Sequence, residues 1–210
     1  MKSNILLRKL SSLYNLIVAI CKQEPLPVLL NAAKGHVKPM PEQMKRLTLR
    51  HYAKRYKLKT FIETGTFRGE TLSFLEPQMD EMHSVELSPE LYHAAQKKFE
   101  GFSKIHLHHG DSAVVFPNIL NSANNSALIW LDAHYSAKIT AHGLKETPIL
   151  DELASVFSSK KCRHFILIDD AREFEGNPEY PSLQQVREMA LNNNYHYECR
   201  FDLIRLTPIL

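Results

Sequence analysis

The sequence predicts an α/β fold: a doubly wound, seven-stranded, mostly parallel sheet with an antiparallel last strand, preceded by an N-terminal helical extension. From Thr60 onward, short apolar runs alternate with segments whose apolar residues recur at helical spacing. This alternation favours parallel strands joined by helical crossovers on both faces of one sheet. Only a tight reversal near Asp202 separates the last two apolar runs, so that pair is expected to be antiparallel.

Seven strands are predicted, and helices separate the first six. The strands are Thr60–Glu63, Met82–Leu87, Lys104–His108, Ala127–Asp132, His164–Asp169, Tyr195–Arg200 and Leu203–Thr207. The helices are Arg68–Glu76, Pro89–Phe99, Ser112–Leu120, Thr147–Ser158 and Ser182–Asn192. Apolar spacing, together with Ser, Thr or Pro near the helix starts, supports these helices.

The composition is that of an ordinary globular protein. Of 210 residues, 44% are hydrophobic and 23% charged, which excludes a disordered chain, a collagen and a disulfide scaffold. Cys21, Cys162 and Cys199 lie far apart, so the chain has no CxxC metal or redox motif. We expect reduced thiols and a cytoplasmic protein.

Charge divides the chain into two parts. Residues 1–60 carry 13 Lys and Arg but 2 acids, a net +11, whereas residues 61–210 carry 13 bases and 21 acids, a net −8. We therefore predict a basic helical extension over residues 1–58 and a separate domain over residues 59–210. An anionic partner is expected for the extension.

The extension contains two amphipathic segments joined by a proline-rich linker. Apolar residues recur at helical spacing from Ile5 to Ile20, and a second, basic helix is predicted from Glu42 to Lys57. The longest apolar run, Leu16 to Cys21, is too short to span a bilayer, and no signal-peptide cleavage site follows it. The segment is expected to stay attached.

Two interpretations of this basic extension stay open. It docks on anionic lipid at the inner face of the membrane or on a phosphate-bearing substrate, or it is a helical lid or the arm of a homodimer. A nucleic-acid partner is not expected, because the chain has no zinc module or RNP motif and its second part is acidic.

Each of the first five predicted strands ends in or beside an acidic residue. In open α/β sheets the ligand site lies outside the carboxyl ends of the strands. Carboxylates gathered there repel one another unless they bind donors or cations. The sequence therefore predicts a ligand site at this edge. The five acids are Glu63, Glu86, Asp111, Asp132 and Asp169.

The turn after the first strand holds two of the seven glycines, Gly65 and Gly69. Glycine allows a sharp turn and close approach to a ligand, although a tight turn without any ligand accounts for the pair equally well. Glu86, 23 residues after Glu63, is placed to accept the two hydroxyls of a ribose. Asp111, followed by Ser112, is placed to meet an adenine amine.

With these motifs, Phe61 to Thr207 resembles the class I S-adenosylmethionine (SAM)-dependent methyltransferases. Glu63-x-Gly65-x-x-x-Gly69 is similar to their first motif, and it differs from the G-x-G-x-x-G of nicotinamide-binding folds. The resemblance implies a Rossmann-like methyltransferase fold and SAM as cofactor. The cofactor contacts that it implies are Glu63, Gly65, Thr66, Gly69, Glu86, Leu87, Ser88, Asp111, Ser112 and Asp132.

The fourth and fifth strand ends resemble metal-dependent O-methyltransferases of the catechol and sugar types. That resemblance implies Mg²⁺ bound by Asp132, Asp169 and Asp170, with Asp132 and His134 as the catalytic pair. His134 is placed to act as a general base on a metal-bound hydroxyl; its other interpretation is a polar loop residue or an added ligand.

The stretch from Asp132 to Thr147 is also similar to bacterial methyltransferases encoded with surface-polysaccharide genes. This implies a sugar, glycan or related small-molecule acceptor. Candidate acceptor contacts are Tyr135, Lys138, Arg172 and Tyr180, each of which is otherwise a solvated or packing residue.

The sequence interpretation excludes a metal site at His106, His108 and His109. His106 and His108 alternate on the third predicted strand and His109 follows it, with no acid recognised in the facing register. The acids at the strand ends, together with the Asp132, Asp169 and Asp170 set, make a Mg²⁺-assisted O-methyltransferase the leading hypothesis. The alternatives are a metal-independent small-molecule methyltransferase and a non-catalytic scaffold that docks on a membrane or a glycan-biosynthesis partner.

Overall fold

The computed structural model describes residues 26–33, 39–132, 147–159 and 161–209. The strands are β1 (Thr60–Thr64), β2 (Glu81–Glu86), β3 (Ile105–His109), β4 (Ala127–Leu131), β5 (Phe165–Ile168), β6 (Tyr195–Arg200) and β7 (Leu203–Pro208). The α-helices are α1 (Leu26–Ala33), α2 (Glu42–Arg55), α3 (Glu70–Leu75), α4 (Pro89–Lys98), α5 (Ser112–Ser122), α6 (Ile149–Ser158) and α7 (Leu183–Asn192). Two 3₁₀ helices cover Glu76–Gln78 and Ala171–Phe174.

The strands form one sheet in the order β3-β2-β1-β4-β5-β7-β6. The first five strands are parallel, and β7 runs antiparallel to both β5 and β6. This confirms the predicted seven-stranded sheet and its antiparallel end. The strand order reverses between β1 and β4, the position at which open α/β sheets bind their ligands.

The two faces of the sheet carry separate apolar cores. On one face Phe61 packs with Leu49 of α2 and Leu72 of α3. On the other face Ile62 packs with Phe116 of α5 and Leu153 of α6. Because both faces are covered, every residue of β4 and β5 is buried, which explains their continuous apolar runs.

Helix α2 is the predicted basic helix, and it shares the first of these cores. Leu49, Tyr52 and Ala53 are buried on its inner side, whereas Lys54 and Arg55 are exposed. The helix and the sheet are thus held together by one hydrophobic core. The division of the chain at residue 58 stays a prediction, and residues 1–25, including the first predicted amphipathic segment, lie outside the described residues.

The proline-rich stretch contains the short helix α1. Pro27 is its second residue, where the backbone lacks a helical acceptor and the missing N–H costs nothing. The helices that the structure describes include none long and apolar enough to cross a bilayer. Cys162 and Cys199 are not joined in a disulfide.

Candidate active site

A cavity of about 660 Å³ opens at the carboxyl ends of the parallel strands. Four of the five strand-end acids line it, so the structure brings together most of the residues predicted from the strand ends. The predicted site residues that line the cavity are Gly65, Glu86, Leu87, Asp111, Ser112, Asp132, Asp169, Asp170 and Arg172. Glu63, Thr66, Gly69, Ser88 and Tyr180 lie outside this lining.

Glu86 is fixed by two backbone donors at the end of β2. Its Oε2 accepts from the Phe67 N–H at 2.8 Å and its Oε1 accepts from the Ser88 N–H at 2.9 Å. The side chain is buried but still lines the cavity. A carboxylate has about four acceptor positions, so two remain for hydroxyl groups of a ligand.

Asp111 begins α5 as its N-cap, and its Oδ1 accepts from the Ala113 N–H at 2.9 Å. Gly110, immediately before it, has φ +144°, and a Cβ at that position would lie 2.9 Å from the Val115 side chain. The tight turn therefore holds Asp111 and Ser112 at the cavity beside the positive end of the helix.

The glycine-containing turn after β1 has two different parts. Gly65 lines the cavity at φ 91°, and its N–H donates to the Val85 carbonyl at 2.9 Å. Gly69 is the N-cap of α3 in the left-handed region and is not part of the cavity lining; a Cβ there would lie 2.5 Å from the Phe99 ring. Close packing against Phe99 therefore requires glycine at this position, and the cofactor contact of Gly69 stays a prediction.

Substituting Gly69 by alanine should lower the free energy of unfolding by about 2 to 3 kcal/mol, from left-handed backbone strain plus the clash with Phe99. Gly101→Ala is the matched control, because Gly101 has φ +86° but nothing within 4 Å of its added Cβ. Urea unfolding of both variants measures the difference. Equal losses would contradict a packing role for Gly69.

Glu63 is buried beneath the cavity. Its Oε1 accepts from the Ser84 hydroxyl at 2.8 Å, and Ser84 is also hydrogen-bonded to Thr66 at 2.6 Å. Burial raises the pKa of Glu63 to about 8, and the negative charges of Asp132 and Glu86 add to the effect. At neutral pH this carboxyl is mainly protonated. Through Ser84 it is linked to Thr66 in the turn after β1.

The opposite side of the cavity contains buried ion pairs. Lys45 of α2 places its Nζ 2.6 Å from Asp169 Oδ2 and 3.5 Å from Asp170 Oδ1, and it also contacts Glu42 at 2.7 Å. The Arg172 guanidinium lies 2.7 Å from Asp170 Oδ1. Two cations, Lys45 and Arg172, therefore offset the negative charge of Asp169 and Asp170.

Asp170 adopts a left-handed backbone conformation, φ 51° and ψ 47°. That conformation turns the chain from β5 into the following 3₁₀ helix, so that Arg172 can also contact the buried Asp202 in the β6–β7 turn. The Arg172 N–H donates to the same Asp202 side chain at 2.9 Å. Arg172 therefore joins the cavity to the antiparallel end of the sheet.

The pKa values of this cluster follow from burial and charge. Burial raises the pKa of Asp169 well above its ordinary value, Asp132 raises it further, and Lys45 opposes the rise. Burial alone would lower the pKa of Lys45, but Asp169, Glu42 and Asp170 together outweigh burial, and the pKa lies above its usual range. Lys45 is therefore protonated at neutral pH.

No protein-family model matches the sequence, and no curated protein matches it. Solved structures do match. The S-adenosylhomocysteine (SAH)-bound methyltransferase PaMTH1 of Podospora anserina has a TM-score of 0.56 at 16% identity, covering 81% of this chain and 80% of that one. The SAM complex of the O-methyltransferase TomG of Streptomyces achromogenes has a TM-score of 0.56 at 12% identity, with 80% and 81% covered.

This chain has the class I methyltransferase fold. The N-methyltransferase NodS of Bradyrhizobium japonicum has the same architecture, with a TM-score of 0.52 at 12% identity over 80% of this chain and 97% of that one. Since both O- and N-methyltransferases match, the likeness fixes the fold and leaves the acceptor open.

The magnesium site predicted for this methyltransferase fold consists of three aspartates at the ends of β4 and β5. Asp132, Asp169 and Asp170 offer the hard oxygen ligands that Mg²⁺ prefers. In the described part of the chain, however, these three do not bring their oxygens within 4.8 Å of one another, and Lys45 occupies the cation position beside Asp169. This arrangement does not fit Mg²⁺ while Lys45 stays in place, and the magnesium site stays a prediction.

Other predicted residues of this methyltransferase fold are located as follows. His134, Tyr135 and Lys138 lie within residues 133–146, outside the described residues. Tyr180 packs edge-on against Phe174 with ring centroids 5.1 Å apart, next to the second core, and it is not part of the cavity lining. Burial raises the pKa of Tyr180, and the charges of the nearby cavity acids Asp170, Asp132 and Asp169 add to the effect.

Several cavity residues were not predicted from the sequence. They are Met40, Glu42, Lys45, Phe67, Glu70 and Pro148. Phe67 and Glu70 adjoin predicted residues of the first turn. Lys45 stands three residues after Glu42 on the predicted basic helix, and that spacing was its available signal. Helix α2 thus lines the cavity, while the role of the extension stays a prediction.

Proposed function

We propose that the protein is a SAM-dependent methyltransferase that methylates a hydroxyl oxygen of a sugar or related small molecule. One observation carries the proposal. The cavity at the strand-order reversal has polar groups suited to a nucleoside on one side, and on the other side buried acids paired with Lys45 and Arg172. SAM would supply an activated methyl group on a sulfonium.

The first side of the cavity suits the nucleoside part of SAM. Glu86 is held by the Phe67 and Ser88 N–H groups, so its remaining acceptor positions are oriented before a ribose binds. Gly65 offers close approach of backbone, and Asp111 with Ser112 presents polar groups for the base. These residues would bind and orient the nucleoside of SAM, and they take no part in proton transfer.

The second side suits a hydroxyl acceptor. Its carboxylates outnumber its two cations, which disfavours an anionic acceptor and favours groups that donate hydrogen bonds. Asp169 has a raised pKa and can accept the hydroxyl proton, while protonated Lys45 stabilises the charge that develops on the oxygen. His134 stays an alternative base, and a sugar hydroxyl is the acceptor implied by the sequence resemblance.

Binding of SAH, measured by calorimetry on the full chain, tests the cofactor half. Glu86→Gln should weaken SAH binding about 10- to 100-fold, because the amide cannot accept from both N–H groups and the ribose. Glu100→Gln, at an exposed position after α4, is the control and should bind as the unchanged protein does. A folded protein that binds no SAH would overturn the proposal.

Transfer of a labelled methyl group to a panel of sugars and other hydroxyl compounds tests the chemistry. Transfer that continues in EDTA supports the Lys45 arrangement. Loss of transfer in EDTA, with SAH binding retained, would instead support the Mg²⁺-assisted alternative. SAH binding with no transfer to any acceptor would support the scaffold alternative and contradict catalysis.

A further inference from the structure

A second group of metal-ligating side chains lies at the β2–β3 edge of the sheet. We call Glu81, His83 and His106 the edge cluster. Glu81 and His83 lie at the beginning of β2, and His106 lies on β3, the strand at one edge of the sheet. The cavity is at the opposite ends of these strands, and the five residue steps from Glu81 to Glu86 span roughly 16 Å.

Strand register brings the edge cluster together. His83 of β2 pairs directly with His106 of β3 in the parallel ladder, so the two side chains share a face. Glu81 is two residues before His83 and therefore points to that same face. The imidazole rings of His83 and His106 stack with centroids 4.9 Å apart.

The donor atoms of the edge cluster are close enough to share one ion. One ligand atom from each of the three side chains lies within 4.8 Å of the other two. Ligands around a tetrahedral zinc ion, each about 2.1 Å from the metal, lie roughly 3.4 Å apart. A small movement of the side chains would bring the three ligand atoms to that separation.

His108 contacts the ring nitrogen of His83 that does not face Glu81. Its Nε2 lies 3.1 Å from His83 Nδ1, while the Nε2 of His83 faces Glu81 Oε1 at 3.3 Å. Metal-bound histidines usually donate their other ring N–H to a fixed partner, which sets the tautomer. With its proton on Nδ1, His83 donates to His108 and turns the Nε2 lone pair toward the cluster.

The edge cluster is accessible from solvent. Glu81 and His106 are exposed, and the side chain of His83 is 13% exposed beside them, so an ion can reach the cluster.

The sequence argument rejected a metal site at His106, His108 and His109 because it recognised no acid in the facing register. The register places His83 opposite His106, and the acid comes from Glu81, two residues before His83 on the same strand. Glu81 was missed because it lies one residue before the predicted start of the second strand, Met82–Leu87.

We propose that Glu81, His83 and His106 bind one divalent transition-metal ion of the zinc class, with water completing the coordination. Two imidazoles and a carboxylate suit Zn²⁺, Ni²⁺ or Cu²⁺, whereas Mg²⁺ prefers oxygen ligands alone. The ion would join the edge strand β3 to β2 and stabilise that edge. The proposal is independent of methyl transfer.

Zinc binding to the full chain, stripped with chelator and titrated by calorimetry, tests this proposal. We expect one zinc ion per unchanged chain and a rise in melting temperature with zinc. His106→Gln and Glu81→Gln, both at exposed positions, should each weaken zinc binding on the order of 10- to 100-fold or more. Mg²⁺ should give no such rise.

His196→Gln is the matched control, since His196 is exposed on β6, the strand at the other edge of the same sheet. It should bind zinc as the unchanged chain does. Unaltered zinc affinity in His106→Gln and Glu81→Gln would overturn the proposal and place any bound zinc elsewhere. Failure of the unchanged chain to bind zinc would overturn it as well. SAH binding should be the same in all these variants.

Discussion

Lys45→Met should lower the free energy of unfolding by about 3 to 5 kcal/mol, because removal of one member of a buried ion pair leaves an uncompensated charge. Lys45 is nearly inaccessible to solvent, and its ammonium contacts both Asp169 and Asp170. Methionine retains most of the aliphatic volume, so the loss reports the charge. Urea unfolding at neutral pH measures it.

Two further variants make this test specific. Lys54→Met, on the exposed side of the same helix, should change the free energy of unfolding by less than about 0.5 kcal/mol. Lys45→Met combined with Asp169→Asn should recover part of the loss, since the uncompensated carboxylate is then removed. Equal stability of Lys45→Met and the unchanged protein would contradict the buried ion pair.

Glu63→Gln should become more stable relative to the unchanged protein as pH rises from about 4.5 to about 8. The folded pKa of Glu63, about 8, exceeds its ordinary value of 4.5, so the folded state binds more protons than the unfolded state within this window. The unchanged protein therefore loses stability as pH rises, by up to about 4 kcal/mol, and a neutral amide abolishes that loss.

The difference in unfolding free energy between Glu63→Gln and the unchanged protein, measured at several pH values, isolates this carboxyl from the other titrating groups. Glu100→Gln, which replaces an exposed acid, should give a difference that stays flat with pH. A flat difference for Glu63→Gln as well would show that Glu63 is ionised in the folded protein.

The fold was predictable because its signals are local. Burial on both faces makes β4 and β5 continuous apolar runs, and the acids at the strand ends mark where the chain leaves the sheet. Parallel strands bring such residues to one edge, so Glu86, Asp111, Asp132 and Asp169 were predicted to meet and do line one cavity.

The partners of these residues were not predictable, because they depend on tertiary packing. Lys45 is 124 residues away from Asp169 in the chain, and only the docking of α2 on the sheet brings the two together. Glu63 matches the first motif by spacing, yet it lies beneath the cavity and is hydrogen-bonded to Ser84. Spacing identified the turn but not the direction of its acid.

Helix α2 contributes Lys45 to the cavity and Leu49 to the core beneath it. A molecule held between α2 and the strand ends would touch both, and part of its affinity would vanish whenever the helix detached. Binding in the cavity would therefore be coupled to the attachment of α2, because each would raise the population of the other.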